Sequence, residues 1–471
     1  MTVTPVGAVD EAASAVARPV MAALAGRDLR ELVRAVDTDV LAGGARYHVA
    51  GGATVGLRVD PVPRVLAGSE WDALAAGLAQ RVRALEAFLR APSEAVSVGV
   101  VPPDLVPTCI YRADDLPPAA VPVGVAGPDV VRSPAGELMV LEDNLRTPTL
   151  MGYADAVAAW VRPHLAVEGM SVRPAVDGLA DGLAAVLRAA APELDEPVVA
   201  VLTDDPGQHA HWEPDRIARM LGVPLVSLGD LRRQGERLVL PDRRPVDVLW
   251  RRTSEERLRE DSGRLNRLGE ALWEPLRAGA LRVVNPFGTG VADDKRTHAY
   301  VEDLIRFHLG QEPLLRSVPT YDLGNADHAR RALDRLDQLV LKPRSGSGGR
   351  GVVVMPLASA LERQRAREAV TADPASWVAQ DVIVLSTCPA VVDGELTDRH
   401  VDLRPCVLST GREVRVLPGG ITRAAMRAGE LVVNFARGGA AKDTWVVDEG
   451  PAPRPARDGR ARGDYDRRHP G

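Results

Sequence analysis

The chain has 471 residues, 45% of them hydrophobic and 26% charged, with a formal net charge of −6 and three cysteines. That length exceeds one ordinary domain, and the composition suits a soluble globular protein whose core needs no disulfide or structural metal. An acidic balance with no basic block before the tail argues against non-specific nucleic-acid binding, and no apolar run approaches the roughly 20 residues of a membrane-spanning helix. Cys109, Cys388 and Cys406 are scattered outside any C-x-x-C spacing. The first residues carry acids where a signal peptide carries positive charge, so the expected location is a reducing cytoplasm.

Residues 1–118 read as a mainly helical region with Pro-rich joins. In "WDALAAGLAQRVRALEAFLRA" (71–91), Leu74, Leu78, Val82, Leu85 and Leu89 share one helical face. The segment 119–165 contains "GPDVVRSPAGELMVLEDNLRTP" (127–148), which reads as a hairpin. Asp129 sits on its first strand, a turn falls at Pro134–Gly136, and the second strand ends in Glu142-Asp143-Asn144. A helical connection covers 166–196, with Leu179, Leu183 and Leu187 four apart. From 197 to 290 strands alternate with helices, one helix opened by Pro214 and closed by Gly222, which predicts a small parallel α/β domain. Residues 291–310 read as helix, 338–450 as strand-rich, and the Pro/Gly/Arg-rich 451–471 as a disordered tail.

Of 58 Lys+Arg residues only Lys295, Lys342 and Lys442 are lysines. Lys342 ends the apolar run "LVLK" just before "SGSGGRG". A glycine-rich turn lets backbone N–H groups approach an anion, and a lysine adds a compact point charge that the planar arginine fork does not mimic. No G-K-[ST] follows, so the loop is not a Walker A motif, and a strand rather than a helix comes after it. An ordinary hairpin loop is the competing reading. In "SWVAQDVIVL" (376–385), Gln380 and Asp381 interrupt an apolar strand whose backbone could face an adenine edge. "VDLRPCVL", "GGITRAA" and "LVVNFARGG" each read as an apolar strand carrying a polar residue: Asp402 and Arg404, Arg423, and Asn434. Buried charges need partners, and two converging arginines suit either phosphoryl oxygens or structural ion pairs. The hairpin brings Asp129 near Glu142 and Asn144, hard oxygen ligands suited to Mg²⁺. His209 and His211 form an H-x-H pair with no third ligand nearby in sequence, and read as a loop rather than a metal site.

Taken together, these stretches resemble the circularly permuted ATP-grasp ligases. The family order runs through "DDK" at Lys295, "VLKPRSGSGGRG" at Lys342, "AQDVI" at Gln380–Ile383, "VDLRPCV", "ITR" at Arg423 and "NFARGG" at Asn434. The metal element "GPDVV…VLEDN", which closes the unpermuted order, here precedes all the others. The resemblance covers about 119–160 and 197–450, Lys442 falling in its "KDTW" stretch. It implies an α/β, circularly permuted ATP-grasp fold with a small parallel pre-grasp domain (197–290), nucleotide-binding subdomains over 291–450, and ATP and Mg²⁺ as cofactors. Lys295, Lys342 and the loop glycines Gly346, Gly348 and Gly349 would hold phosphates. Gln380, Asp381 and Val382 would meet adenine and ribose, and Asn434 would complete the nucleotide site. Asp129, Glu142 and Asn144 would hold Mg²⁺, while Arg404 and Arg423 would stabilise the transferred phosphoryl group. A small helical companion protein is the partner such a family context suggests, with neither nucleic acid nor membrane expected.

This chain departs from the family where "LRTPTL" follows the metal element, which places Arg146 near the γ-phosphate or substrate. Arg251 and Arg252, in "WRRTSEERL", are candidates for holding a substrate carboxylate, or else ion-pair partners of Glu255 and Glu256. The expected activity is ATP-dependent joining of a carboxylate to an amine through an acyl-phosphate. The rival readings are a catalytically silent nucleotide-binding protein that works through a partner, and a small-molecule phosphotransferase.

Overall fold

The computed structural model describes residues 8–48, 54–203, 212–253, 255–260, 262–345, 349–430, 433, 435 and 438–448. Its centre is a nine-stranded sheet. From one edge the path runs Arg316–Ser317, Leu138–Glu142, Asp129–Arg132, Glu395–Ser409, Val414–Ala424, Ala440–Val447 and Arg64–Ala67. Thr387–Val392 and Val125–Ala126 also pair with Glu395–Ser409. The expected hairpin of 127–148 is therefore spliced beside strands some 270 residues later, Leu403 pairing with Val130. The long strand shifts register between Arg404 and Cys406. Pro405 has no N–H to give a ladder, so a bulge is the natural accommodation. Gly420 faces it with φ +112°, and a Cβ there would come within 2.5 Å of the Arg404 carbonyl.

A second, antiparallel sheet of Thr320–Asp322, Trp377–Asp381, Leu339–Pro343 and Val353–Val354 stands apart from the first. The glycine-rich stretch connects its last two strands as a hairpin. A third sheet, Arg282–Val284, Val248–Arg251, Val199–Leu202 and Leu225–Val226, is wholly parallel. Helices Trp212–Leu221 and Arg267–Arg277 complete it as the α/β unit expected over 197–290. The helix closed by Gly222, at φ +67°, starts at Trp212, two residues before Pro214.

Helix Gly68–Arg90 buries Trp71, Leu74, Leu78, Val82, Leu85 and Phe88, the face read from sequence with Trp71 and Phe88 added and Leu89 only half-buried. Helix Leu179–Ala189 likewise buries Leu179, Leu183 and Leu187. Besides its helices, the N-terminal region supplies an edge of the central sheet, Arg64–Ala67 pairing in parallel with Thr444–Val447. Residues 291–310, read as helical, divide into Gly290–Asp293, Lys295–His298 and Val301–Leu309. Asp294 leaves helical geometry and takes the Arg296 N–H on its side chain, which caps the second helix and ends the first. The stretch around Asn434 is not strand at Val433 or Phe435, and Asn434 itself lies outside the described residues, as do the 451–471 tail and His209 and His211.

Candidate active site

A cavity of about 420 Å³ opens between the central sheet and the small antiparallel sheet. The antiparallel sheet and the segment after it contribute Val340, Val354, Ile383 and Leu385 to its wall. The central sheet contributes Asp129, Glu142, Asp402, Arg404 and Arg423, with Asn144 just beyond the second hairpin strand. The apolar lining thus comes mainly from the antiparallel-sheet side, which also carries Lys342, and the carboxylates and arginines of the other side come from the central sheet; the volume falls in the range of small-molecule sites.

Strand register makes the charged side. Asp129 lies directly opposite Glu142. Successive residues of a strand face opposite ways, which separates the acid doublet. Glu142 lines the cavity, whereas Asp143 is buried away from the main cavity against Arg81 at 2.6 and 2.8 Å and His298 Nδ1 at 2.8 Å. Arg404 grips Asp129 through Nε at 2.6 Å and a second nitrogen at 2.8 Å. Arg423 lies 3.0 Å from the same carboxylate and also holds Asp402, through Nε at 2.8 Å and a second nitrogen at 2.5 Å. Burial alone would push the Asp129 carboxyl up, but Arg404 and Arg423 outweigh it and leave it at about 2. Asp402, where burial dominates, is pushed up instead.

Lys342 projects from Leu339–Pro343 into the cavity, and burial, aided by the repulsion of Lys295, pushes its ammonium down against the opposing pull of Glu142. It makes no hydrogen bond or ion pair among the described residues. Lys295 opens its short helix and also lines the cavity. The two acids before it are positioning groups. Asp293 accepts the N–H of Leu145 at 2.5 Å and of Arg146 at 2.9 Å. Asp294 accepts Arg344 Nε at 2.7 Å, which ties the end of the Lys342 strand to the Lys295 helix. Gly349 lines the cavity at φ +75°, beside Arg350. Gly346 and Gly348 lie outside the described residues.

Gln380 lines the cavity yet spends its amide on structure, donating to the Leu141 carbonyl at 3.1 Å and Thr320 Oγ1 at 2.8 Å. It pins one sheet to the other. Asp381 pairs with Arg335 at 2.5 Å, and Val382 lines the cavity next to it. Arg146 reaches the cavity wall stacked 3.7 Å over the Tyr111 ring and 3.3 Å from Asp293.

Arg251 and Arg252 do not line the cavity. Arg251 is buried and donates to the carbonyls of Asn285 at 2.6 Å, Thr253 at 2.7 Å and Pro286 at 3.2 Å, with Glu255 at 2.8 Å. Arg252 donates to the carbonyls of Pro148 at 2.5 Å and Thr147 at 3.1 Å, bracing that part of the wall from behind. Arg252 also lies 3.6 Å from Glu213. Neither arginine faces the cavity, which corrects the substrate-holding expectation, while the Arg251–Glu255 ion pair is the alternative read from sequence. Lys442 is also remote, fully buried on Asp60 and the Pro389 carbonyl. All three cysteines are buried, with thiols pushed up to about 12 chiefly by desolvation.

The charged wall can be tested for its fit to a hard cation. Glu142 has no hydrogen bond or ion pair among the described residues, and Asn144 Nδ2 is buried without a partner. This pair is uncommitted and oxygen-bearing, so it fits; Asp129 joins only when its arginines let go. Sequence reasoning missed Tyr47 and Arg350, whereas the "LRTPTL" departure falls on the Thr147–Thr149 wall. Asp293 was visible only as part of "DDK".

The family described as circularly permuted ATP-grasp type 2 matches residues 63–425. An uncharacterised protein of Synechocystis sp. is 38% identical over 414 residues, covering 83% of this chain and 84% of that one. An uncharacterised protein of Mycobacterium tuberculosis is 40% identical over 409 residues, covering 83% and 73%. A Frankia casuarinae protein named as a putative glutamate–cysteine ligase is 40% identical over 82% of this chain, which spans 46% of that longer protein. Among solved structures, a glutathione synthetase-like effector of Globodera pallida superposes with a TM-score of 0.58 over 89% of this chain and 98% of its own, at 13% identity. That likeness is one of fold.

Proposed function

The chain belongs to the circularly permuted ATP-grasp type 2 family, and from that premise we propose that it is an ATP-dependent ligase joining a carboxylate to an amine. One observation carries the reading: a single cavity gathers Lys295, Lys342, Glu142, Asn144, Arg404 and Arg423 from widely separated segments. The ligase-like name of the Frankia relative points the same way.

In this reading the adenine lies against Val340, Val354 and Ile383, and the phosphates run between Lys342 and Lys295. Two lysines that repel each other in a buried space favour an anion between them. A magnesium ion held by Glu142 and Asn144 would supply positive charge to the phosphate oxygens. The substrate carboxylate attacks the terminal phosphorus, the bond to the ADP oxygen breaks, and an acyl-phosphate forms. Arg404 and Arg423 exchange Asp129 for the oxygens of the transferred group, since a guanidinium fork fits carboxylate and phosphoryl alike. The amine then attacks the acyl carbon, inorganic phosphate leaves, and the amine proton passes to solvent. The protein's share is positioning and charge stabilisation. The reaction belongs to a cytoplasmic setting with free amino acids, peptides and polyamines as candidate substrates.

The test is nucleotide turnover with Mg-ATP and pooled amino acids, small peptides and polyamines, resolving ADP from AMP, with Lys342→Ala and Glu142→Ala as controls. ADP and phosphate released only when acid and amine are both present, and lost in both variants, is the expected result. AMP with pyrophosphate would overturn the acyl-phosphate route. Tight nucleotide binding without turnover would leave a nucleotide-binding protein that is silent or depends on a partner.

A further inference from the structure

Residues before 63 lie outside the family match, yet one of their side chains, Tyr47, lines the cavity. Tyr47 sits in Arg46–His48, which pairs with Thr54–Gly56 as a two-stranded ribbon. A lone ribbon is marginal in water. Here aromatic residues of the matched region clamp its base. The Tyr153 hydroxyl donates to the Arg46 carbonyl at 2.6 Å, and Trp212 Nε1 donates to the Gly43 carbonyl at 2.7 Å. Gly43 packs so closely on Trp160 that a Cβ there would come within 2.4 Å of the ring. The Tyr47 ring itself stands edge-on to Phe435 at 5.3 Å and to Tyr153 at 6.2 Å between centroids. Ring position is therefore set by packing on two sides.

The hydroxyl makes no hydrogen bond among the described residues. Burial holds the phenol protonated, and the charges that act on it are those of Arg404 and Arg423, followed by Glu213 and Asp129. Tyr47 shares the cavity lining with Arg404 and Arg423. An O–H donor without an acceptor, in a wall that also carries two guanidinium groups, is complementary to an oxyanion. A cationic amine at the same spot would meet the repulsion of both arginines.

We propose that Tyr47 is a catalytic residue of this chain, its O–H donating to an oxygen of the terminal phosphoryl group of the bound nucleotide alongside Arg404 and Arg423. The assignment of that group as the one transferred rests on the ligase reading; the contact does not. ADP has no terminal third phosphate, so the contact predicts discrimination between the two nucleotides.

The experiment measures Kd for Mg-AMP-PNP and Mg-ADP by calorimetry in the full chain and in Tyr47→Phe and Tyr47→Ala, with thermal unfolding recorded for each. Losing one hydrogen bond to a charged group weakens binding by roughly 10-fold. Tyr47→Phe is expected to lose about that factor for AMP-PNP and to hold its ADP affinity and its melting temperature. Equal affinity loss for both nucleotides, or none for either, overturns the proposal and leaves Tyr47 a packing residue. A parallel turnover assay separates the two readings. Wild-type protein that binds AMP-PNP with the predicted contrast but releases no ADP with acid and amine would refute the ligase and keep the contact.

Discussion

Asp129 and Glu11 are each gripped by two arginines, and their surroundings differ. Asp129 is held by Arg404 and Arg423 in the wall of the cavity. Glu11 is held by Arg64 at 2.6 Å and Arg132 at 3.0 Å, with the Ser386 hydroxyl at 2.5 Å, and does not line that cavity. Arg132 and Asp129 sit at opposite ends of one four-residue strand. The same ion-pair chemistry thus serves two ends. Around Glu11 every direction is occupied by protein, so the cluster fastens the N-terminal segment to the central sheet. Around Asp129 a ligand can enter, so each arginine has an alternative anion and the carboxylate an alternative cation. Arg251 marks a third case, in which backbone carbonyls take most of the donors and no exchange is open to it.

The comparison breaks most visibly at the cavity. Arg404→Ala should lower ligase turnover by roughly 100- to 1,000-fold, the usual cost of removing one group that stabilises developing charge. Its urea midpoint should move little, because Asp129 keeps Arg423. Glu11→Ala should do the reverse. It leaves Arg64 and Arg132 buried without their shared partner, which costs about 3–5 kcal/mol of stability. Turnover per folded molecule should remain that of wild type. A variant at Glu11 that lost catalysis while keeping its stability would erase the distinction. Arg251→Lys sharpens it on a smaller scale. A lysine cannot reproduce the planar fork that reaches the Asn285, Thr253 and Pro286 carbonyls, and unsatisfied buried groups cost about 1–3 kcal/mol. Substrate KM should be unchanged; a raised KM would return Arg251 to the substrate site.

These contrasts also show how far local sequence pattern reaches. The nearness of Asp129 to Glu142 was legible because a short turn fixes the hairpin, while the register shift between Asp129 and Val130 that sets them directly opposite was not. Lys295 and Lys342, which line the cavity, stood out in the sequence because the chain uses arginine almost everywhere else. Arg251 and Arg404 were not separable, since both are arginines in apolar strands and only their partners differ. Those partners lie 34 and 275 positions away in sequence, on Asn285 and Asp129. Tyr47 carried no signal at all. Its place in the wall is set by contacts with Tyr153 and Phe435, more than a hundred residues off, which local pattern cannot anticipate. The helical character of 291–310 was legible but its division was not, because Asp294 breaks the stretch only where its side chain accepts the Arg296 N–H.

The smallest effect concerns acid. Burial pushes the Glu11 carboxyl up, but Arg64 and Arg132 outweigh it and hold the group below the ordinary carboxylate range. The folded state therefore binds this proton more weakly than the unfolded chain, where a glutamate titrates near about 4.3. The stability this group contributes is complete above that pH and is lost as pH falls through the folded value. Glu11→Gln keeps the size and an acceptor oxygen and removes the charge. The stability gap between wild type and Glu11→Gln, measured by urea denaturation across a pH series, should be constant near neutrality and narrow below about pH 4. Saturating Mg-ATP should leave that narrowing in place, because no ligand reaches Glu11. A gap that stayed constant to low pH would mean the arginines hold the neutral carboxyl as well as the anion. A gap that Mg-ATP altered would mean that the two arginine clusters, at the two ends of one strand, are coupled rather than separate in purpose.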